Sequence, residues 1–246
     1  MIKRKLDWVS NHDPRSKDYP IRSMFGNKRI VPARKVWDEG AVLDQGSEGA
    51  CVGFAWTGEL LAEPAAPKEQ PSAIYANRLA SALYQDAKQV DEWPGEKYDG
   101  TSVLAGAKIM KERGLIGGYR WCFNIKDVRN AIIQEGPVVI GIPWFDGMYE
   151  TDPGGIVKVS GDLVGGHAIV LTGYDPAFQV GSSREEYFRW RNSWGDDYGV
   201  DGSGWISRRN LEFLLAQNGE ACVPMERQVP VFEEPKKKFF ARFFKR

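Results

Sequence analysis

Apolar positions follow two different rhythms along this chain. Through the first half they recur every three or four residues. Through the second half they come in short dense runs. Residues 51–63, CVGFAWTGELLAE, predict a helix that Pro64 ends. Ser72, after Pro71, predicts the cap of a second, with Tyr75, Leu79 and Leu83 at helical spacing. Residues 102–113 predict a third, closed by Gly114. Residues 127–135 predict a fourth, with Val128, Ile132 and Ile133 inward and Gly136-Pro137 as the stop.

The β-branched and aromatic runs VVIGI (138–142), HAIVLTGY (167–174), YFRWRNSW (187–194) and GWISRR (204–209) then predict strands, separated by Gly, Pro, Asp and Ser. DPAFQVGSSREE, before the third run, reads as a hairpin loop. Helices followed by strands predict an α+β fold with a cleft between a helical lobe and a barrel-like sheet lobe. Three segments follow: a polar, proline-spaced strap over 1–35; a body over 36–225, its helical lobe about 45–130 and its β lobe about 131–225; and a tail over 226–246. Phe239, Phe240, Phe243 and Phe244 in that tail would share one face of a short helix with basic residues around them.

Composition narrows the function classes. Lys and Arg together number 33, as do Asp and Glu, so net charge is near zero, which argues against bulk nucleic-acid binding. No apolar run is long enough to span a bilayer. The N-terminus is basic without an apolar core, unlike a secretory signal. Three cysteines, Cys51, Cys122 and Cys222, are an odd number without metal-type spacing. One bridge, 122 to 222, stays open; the simplest reading is a reducing compartment such as the cytoplasm.

Cys51 follows the glycine-rich turn QGSEGA and opens the first helix. Unpaired N–H groups at a helix start favour a thiolate. A small buried apolar cysteine is the alternative. Of the two histidines, His12 lies in the polar strap and reads as a surface residue. His167 opens an apolar run behind two glycines, as a core histidine or as a base for Cys51. Asn192, between Trp190 and Trp194 in what reads as a strand, is either a turn residue or the orienting partner of such a base. Gln45, six residues before Cys51, is either a surface amide or a donor to a developing oxyanion.

The order Gln45, Cys51, His167, Asn192, within QGSEGAC, GGHAIVLTGYD and RNSWGDDYGVDGSGW, resembles the papain-like cysteine peptidases over roughly residues 36–210. GPVVIGI is similar to that family's central strand, and DGTS (99–102) to its glycine-bearing substrate-side loop. The opening LDWVSNHDPRSKDYP resembles the prodomain-free bacterial, archaeal and viral branch. The resemblance implies a two-lobed fold. It makes Cys51 the nucleophile, His167 the base that becomes the acid, and Asn192 the residue holding the imidazole. Trp194 would shield that bond and Gln45 complete the oxyanion hole. Gly100, Gly166 and Trp194 would line the groove, and Gly141 and Ala168 the floor of an open, apolar second substrate pocket suited to a bulky apolar side chain. It implies peptide or protein substrates, no cofactor and no metal.

Three departures stand out. Glu48 and Val52 occupy places where the family usually has a half-cystine and a tryptophan, and Gly166 precedes the histidine where Asp or Asn is common. The chain also leaves no room for the long inhibitory prosegment of secreted relatives, so the expectation is that activity is controlled otherwise or that the chain is already mature. Two other functions fit the same residues: amide cleavage in peptidoglycan, and a restrained or structural protein. The latter would dock on a larger assembly, such as a virion if the chain is viral, through residues 236–246, against a protein or an anionic membrane. Oligomeric state is not legible from the sequence.

Overall fold

The computed structural model describes residues 4–91 and 99–232. The Phe-rich tail lies outside them. After a 3-10 turn at Pro14–Asp18 and a short helix α1 (Arg22–Phe25), strand β1 (Lys35–Val36) leads into the helical part: α2 (Cys51–Leu61), α3 (Ala73–Val90) and α4 (Val103–Glu112). Strand β2 (Gly118–Trp121) and helix α5 (Ile125–Gln134) follow. The remainder is β3 (Val138–Phe145), β4 (Leu163–Val180), β5 (Ser183–Arg191), β6 (Ser203–Ser207), α6 (Arg208–Ala216) and β7 (Glu220–Met225). The strands form one antiparallel sheet ordered β2-β7-β3-β4-β5-β6, with β1 paired to β4, so the α+β reading holds.

Local chemistry explains most boundaries. Ser72 and Ser102 accept the Tyr75 and Ala105 N–H groups at the starts of α3 and α4. Gly114 takes a positive φ just past α4, where a side chain would be strained. Helix α2 is buried along its whole length. It threads between the other helices and the sheet, which is why its sequence lacks a polar face.

Several expectations are corrected. The fourth helix starts at Ile125, because Asn124 and not Asp127 is the cap. GWISRR is strand only to Ser207; Ser207 then caps α6, absent from the sequence reading. DPAFQVGSSREE is mostly ladder, with β4 and β5 running on to a turn at Gly181 and Ser182. Strands β2 and β7 were not anticipated. Asn192 lies one residue beyond β5 rather than within a strand.

Two cores result. One lies between the sheet and α5 and α6, around Ile140, Trp144, Phe188 and Leu211. The other joins α2 and α4 to the opposite sheet face, around Val52, Trp56, Val103, Ala168 and Cys222. A buried ion pair ties α2 to the segments flanking the sheet: Arg227 Nε donates to Glu59 at 2.6 Å, and its other nitrogens donate to the Glu135 and Pro137 carbonyls. All three cysteines are free. No helix among the described residues is long and apolar enough to cross a membrane.

Candidate active site

Cys51 is the first residue of α2, fully buried, on the helical wall of the junction with β4. The backbone N–H groups of Ala168, Asp7 and Val52 face its sulfur and favour the charged form. Burial outweighs them and pushes the thiol up to about 11. The helix start therefore does not ionise the thiol in this closed arrangement, contrary to the sequence-based expectation.

His167 stands on the opposite wall, in β4 next to Ala168, and is also fully buried. Its Nε2 lies 2.8 Å from Asn192 Oδ1, which also accepts the Ser193 N–H at 2.8 Å. An oxygen already accepting a backbone N–H fixes the Asn192 amide, so Nε2 carries the proton and donates. Nδ1 is left with its lone pair; it is buried and has no partner. Burial pulls His167 down to about 4, with the Asn192 bond acting the other way. The Trp194 ring lies 4.8 Å from the imidazole, tilted by 33°, and Trp144 meets it edge-on at 4.8 Å. These rings keep water from the His167–Asn192 bond.

Asn192 is held from below by a cluster that sequence reasoning missed. Glu39, buried, accepts from Arg189 Nε at 2.8 Å, Ser203 Oγ at 2.8 Å and Thr172 Oγ1 at 2.5 Å. Arg191 Nη2 lies 3.1 Å away. Its partners on β4, β5 and β6 lock the strand end from which Asn192 projects. Nothing local to Glu39 in the sequence signals this role.

Gln45 is anchored by Ser193, whose Oγ donates to its amide oxygen at 2.7 Å. Its NH2 donates to the Glu48 carbonyl at 2.8 Å and to the Lys5 carbonyl at 3.3 Å. It is buried and turned toward the cleft, not a surface glutamine.

The Lys5 contact belongs to the largest surprise. Residues 4–12 run through the cleft. Trp8 N–H donates to the Gly166 carbonyl and Val9 N–H to the Thr101 carbonyl, each at 3.0 Å, so the strap bridges both walls with main-chain bonds. An added peptide strand binds a sheet edge in the same manner. Gly100, at φ 99°, and Gly49 have no space for a Cβ because Asp7 lies against both. Gly141 and Gly166 are likewise closed by Trp8, and Gly165 by Leu6. Arg4 pairs with Asp44 and donates to the Trp194 carbonyl at 2.7 Å. Lys5 meets Asp99 at 2.6 Å, and His12 touches the Asn218 carbonyl at 3.1 Å.

The second pocket is also different from the expectation. Gly141 does border it, but Trp8 fills it, and a carboxyl closes its end. Trp8 Nε1 donates to Glu220 Oε1 at 2.8 Å. Glu220 Oε2 has no hydrogen-bond partner, and burial pushes this carboxyl up to about 8. The pocket is thus neither open nor wholly apolar. Glu220 is 212 residues from Trp8 and carries no local signal. Among the described residues no group of three or more His, Cys, Asp or Glu is arranged to hold a metal ion.

The cleft residues place this chain among known proteins. Its fold resembles xylellain, a cysteine protease from Xylella fastidiosa, with a TM-score of 0.60 and 17% identity over 93% of this chain and 99% of that one. It also resembles digestive procathepsin L2 proteinase from Tenebrio molitor larval midgut, with a TM-score of 0.58 and 18% identity over 89% and 77%. In sequence it is 26% identical over 114 residues to Cathepsin B-like protease 1 of Arabidopsis thaliana, covering 46% of this chain and 29% of the relative. It is 30% identical over 97 residues to Cathepsin B-like cysteine proteinase 3 of Ostertagia ostertagi, covering 39% and 53%. The chain matches at most about half the length of these curated relatives. The model of the papain family cysteine proteases matches residues 97–222, a span that holds His167 and Asn192 but not Cys51 or Gln45. That match takes in half of the chain, and with the shared fold it makes this protein a member of the papain family.

Proposed function

We propose that this protein is a cysteine peptidase that hydrolyses peptide bonds through a thioester on Cys51, and that the state described here is its closed form. The observation that carries the reading is the state of His167: Nε2 is committed to Asn192 at 2.8 Å, while Nδ1 is buried, unpartnered and free to accept a proton. With the strap withdrawn, Nδ1 takes the Cys51 proton as the sulfur attacks the peptide carbonyl carbon. The oxyanion forms where the Gln45 NH2 and the Cys51 N–H can both donate to it. Collapse expels the amine, which receives the proton from His167, and leaves the thioester. Water then attacks with His167 as base, releasing a carboxylic acid and restoring the thiol. Gly166 and Thr101, whose carbonyls now accept from the Trp8 and Val9 N–H groups of the strap, supply main-chain partners to an extended peptide, with Gly100 leaving room beside them.

A restrained state is favoured by a specific observation as well. The Lys5 carbonyl occupies the Gln45 donor, and Trp8 occupies the second pocket. In this reading substrate and strap compete for one groove.

The test is labelling with a peptide epoxide at pH 7 followed by peptide mapping. Modification of Cys51 over Cys122 and Cys222, lost in His167→Ala and faster in Trp8→Ala, is the expected outcome. Cys51 left unlabelled in a folded Trp8→Ala variant would refute the nucleophile assignment.

A further inference from the structure

The strap carries a charge into the cleft that mere occlusion does not require. Asp7 sits against Gly49, two residues before Cys51, and its backbone N–H faces the Cys51 sulfur. Its carboxylate Oδ2 is buried and has no hydrogen-bond partner. A strap built only to fill space would place an apolar or neutral residue here, since an unpaired carboxylate is costly to bury.

The charged groups around Asp7 do not neutralise it. Lys5, its neighbour on the strap, points to Asp99 at 2.6 Å. Lys5 and, more weakly, Lys88 on α3 act on Asp7 attractively, each less than burial or Asp99, which both oppose its ionisation. On the catalytic turn, Glu48 is directed away, to Ser81 Oγ at 2.9 Å and Gln85 Nε2 at 3.5 Å. On β4, His167 is kept neutral chiefly by burial and also by the charge of Arg4.

We propose that Asp7 is a charge latch: its docked carboxylate and an ionised Cys51 exclude one another. Strap docking holds the nucleophile as a thiol, and ionisation of the thiol weakens docking. This rests on Cys51 being the nucleophile and adds to occlusion a second, electrostatic means of restraint. Two negative charges at this half-buried edge of the cleft, where water screens them less than in the open, repel one another. By linkage, whatever the strap does to the thiol, the thiol must do to the strap. The two parts of Asp7 act in opposite senses on the sulfur: its N–H lowers the thiol's pKa and its carboxylate raises it. Removing the charge alone separates them.

The sign in pH follows. Asp7 is raised in the docked state, chiefly by burial. Its contribution to docking is fully present below its value in a free strap and is lost as pH rises through the docked value. Ionisation of Cys51 at higher pH weakens docking further. The latch therefore loosens toward alkaline pH.

The experiment uses the full chain and Asp7→Asn, which keeps the backbone bridges and the side-chain shape. Iodoacetamide, small enough to test the thiol itself, is reacted at pH 5–10, with the Cys51 peptide quantified by mass. The expected result is an alkaline shift of the wild-type profile relative to the variant, so that Asp7→Asn reacts about threefold to tenfold faster at pH 7. In parallel, peptide-epoxide labelling, which needs an open cleft, should rise with pH in the wild type and rise less in Asp7→Asn. Superimposable iodoacetamide profiles would overturn the latch, as would a variant whose epoxide labelling keeps the full wild-type pH dependence. Cys51 unreactive to iodoacetamide in both proteins overturns it too. Labelling of Trp8→Ala then tells whether the nucleophile reading fails with it. Cys51 that alkylates as expected in a chain that cleaves no peptide would leave the latch standing and refute the peptidase.

Discussion

Trp8 is the residue to remove first. Its ring is nine-tenths buried, lies on Gly141 and ends in a hydrogen bond to Glu220. Truncating a buried tryptophan to alanine costs about 3–5 kcal/mol. Here nearly all of that cost falls on one equilibrium, strap docked against strap free, because the Trp8 contacts are made across the cleft. Taking the lower figure, about 3 kcal/mol less docking energy raises the open fraction by about 10²-fold, at ~1.4 kcal/mol per decade. While the docked state still predominates, kcat/KM for a fluorogenic peptide rises by that factor, since only the open form binds substrate. If wild-type docking is weaker than about 3 kcal/mol, the gain saturates at full opening and KM stops responding. The assay is initial rate against enzyme titrated by epoxide, with far-UV circular dichroism and urea midpoint as folding controls. A folded Trp8→Ala with kcat/KM raised less than about threefold would refute the competition between strap and substrate.

Three further outcomes are expected. Asn192→Ala removes the acceptor at Nε2 of a buried imidazole; a hydrogen bond of about 1–2 kcal/mol predicts kcat/KM about tenfold lower or more, measured beside Asn192→Gln. In stability, His167 and Glu220 pull in opposite directions. His167, held near 4 against 6.5, contributes stability present above 6.5 and lost as pH falls toward 4. Glu220, held near 8 against 4.5, contributes stability present below 4.5 and lost as pH rises through 8. Their slopes oppose one another up to pH 6.5. Between 6.5 and 8 Glu220 acts without that offset, so stability in urea falls by about 2 kcal/mol, at ~1.4 kcal/mol per proton per pH unit, and Glu220→Gln removes the fall. Finally, Arg227→Ala strands the buried Glu59 carboxylate and costs about 3–5 kcal/mol in urea denaturation, whereas Arg227→Ala with Glu59→Leu recovers most of it.

The helices were legible where a cap and a stop bracketed an apolar period. Ser72, Ser102 and Gly114 each mark a place where backbone groups lack helical partners, and a local sequence rule is enough to find them. Helix α6 was hidden because it follows β6 with no intervening residue, so the strand pattern ran straight into it. Strands β2 and β7 are short and pair with each other at Trp121–Cys222 across a hundred residues, a partnership that no local pattern announces.

The candidate site residues were legible for a different reason: each is an expensive residue in its place. A histidine opening an apolar run, an amide among tryptophans and a thiol at a helix start all demand a physical account, and the structure joins His167 to Asn192 and sets Cys51 against the backbone of Ala168. The strap had no such mark. It reaches the cleft through backbone N–H groups, which every residue has, and through one tryptophan whose partner is 212 residues away. Its polar, proline-spaced character did predict a segment lying on the body. What the sequence could not supply is that the body's most conspicuous glycines, Gly100, Gly141 and Gly166, have that strap as their neighbour. Glycines that leave room for an extended peptide leave the same room for a segment of the chain itself. A groove open enough to hold an extended peptide is therefore also one that such a segment can close, and here the closing segment brings the Asp7 carboxylate to the turn before Cys51.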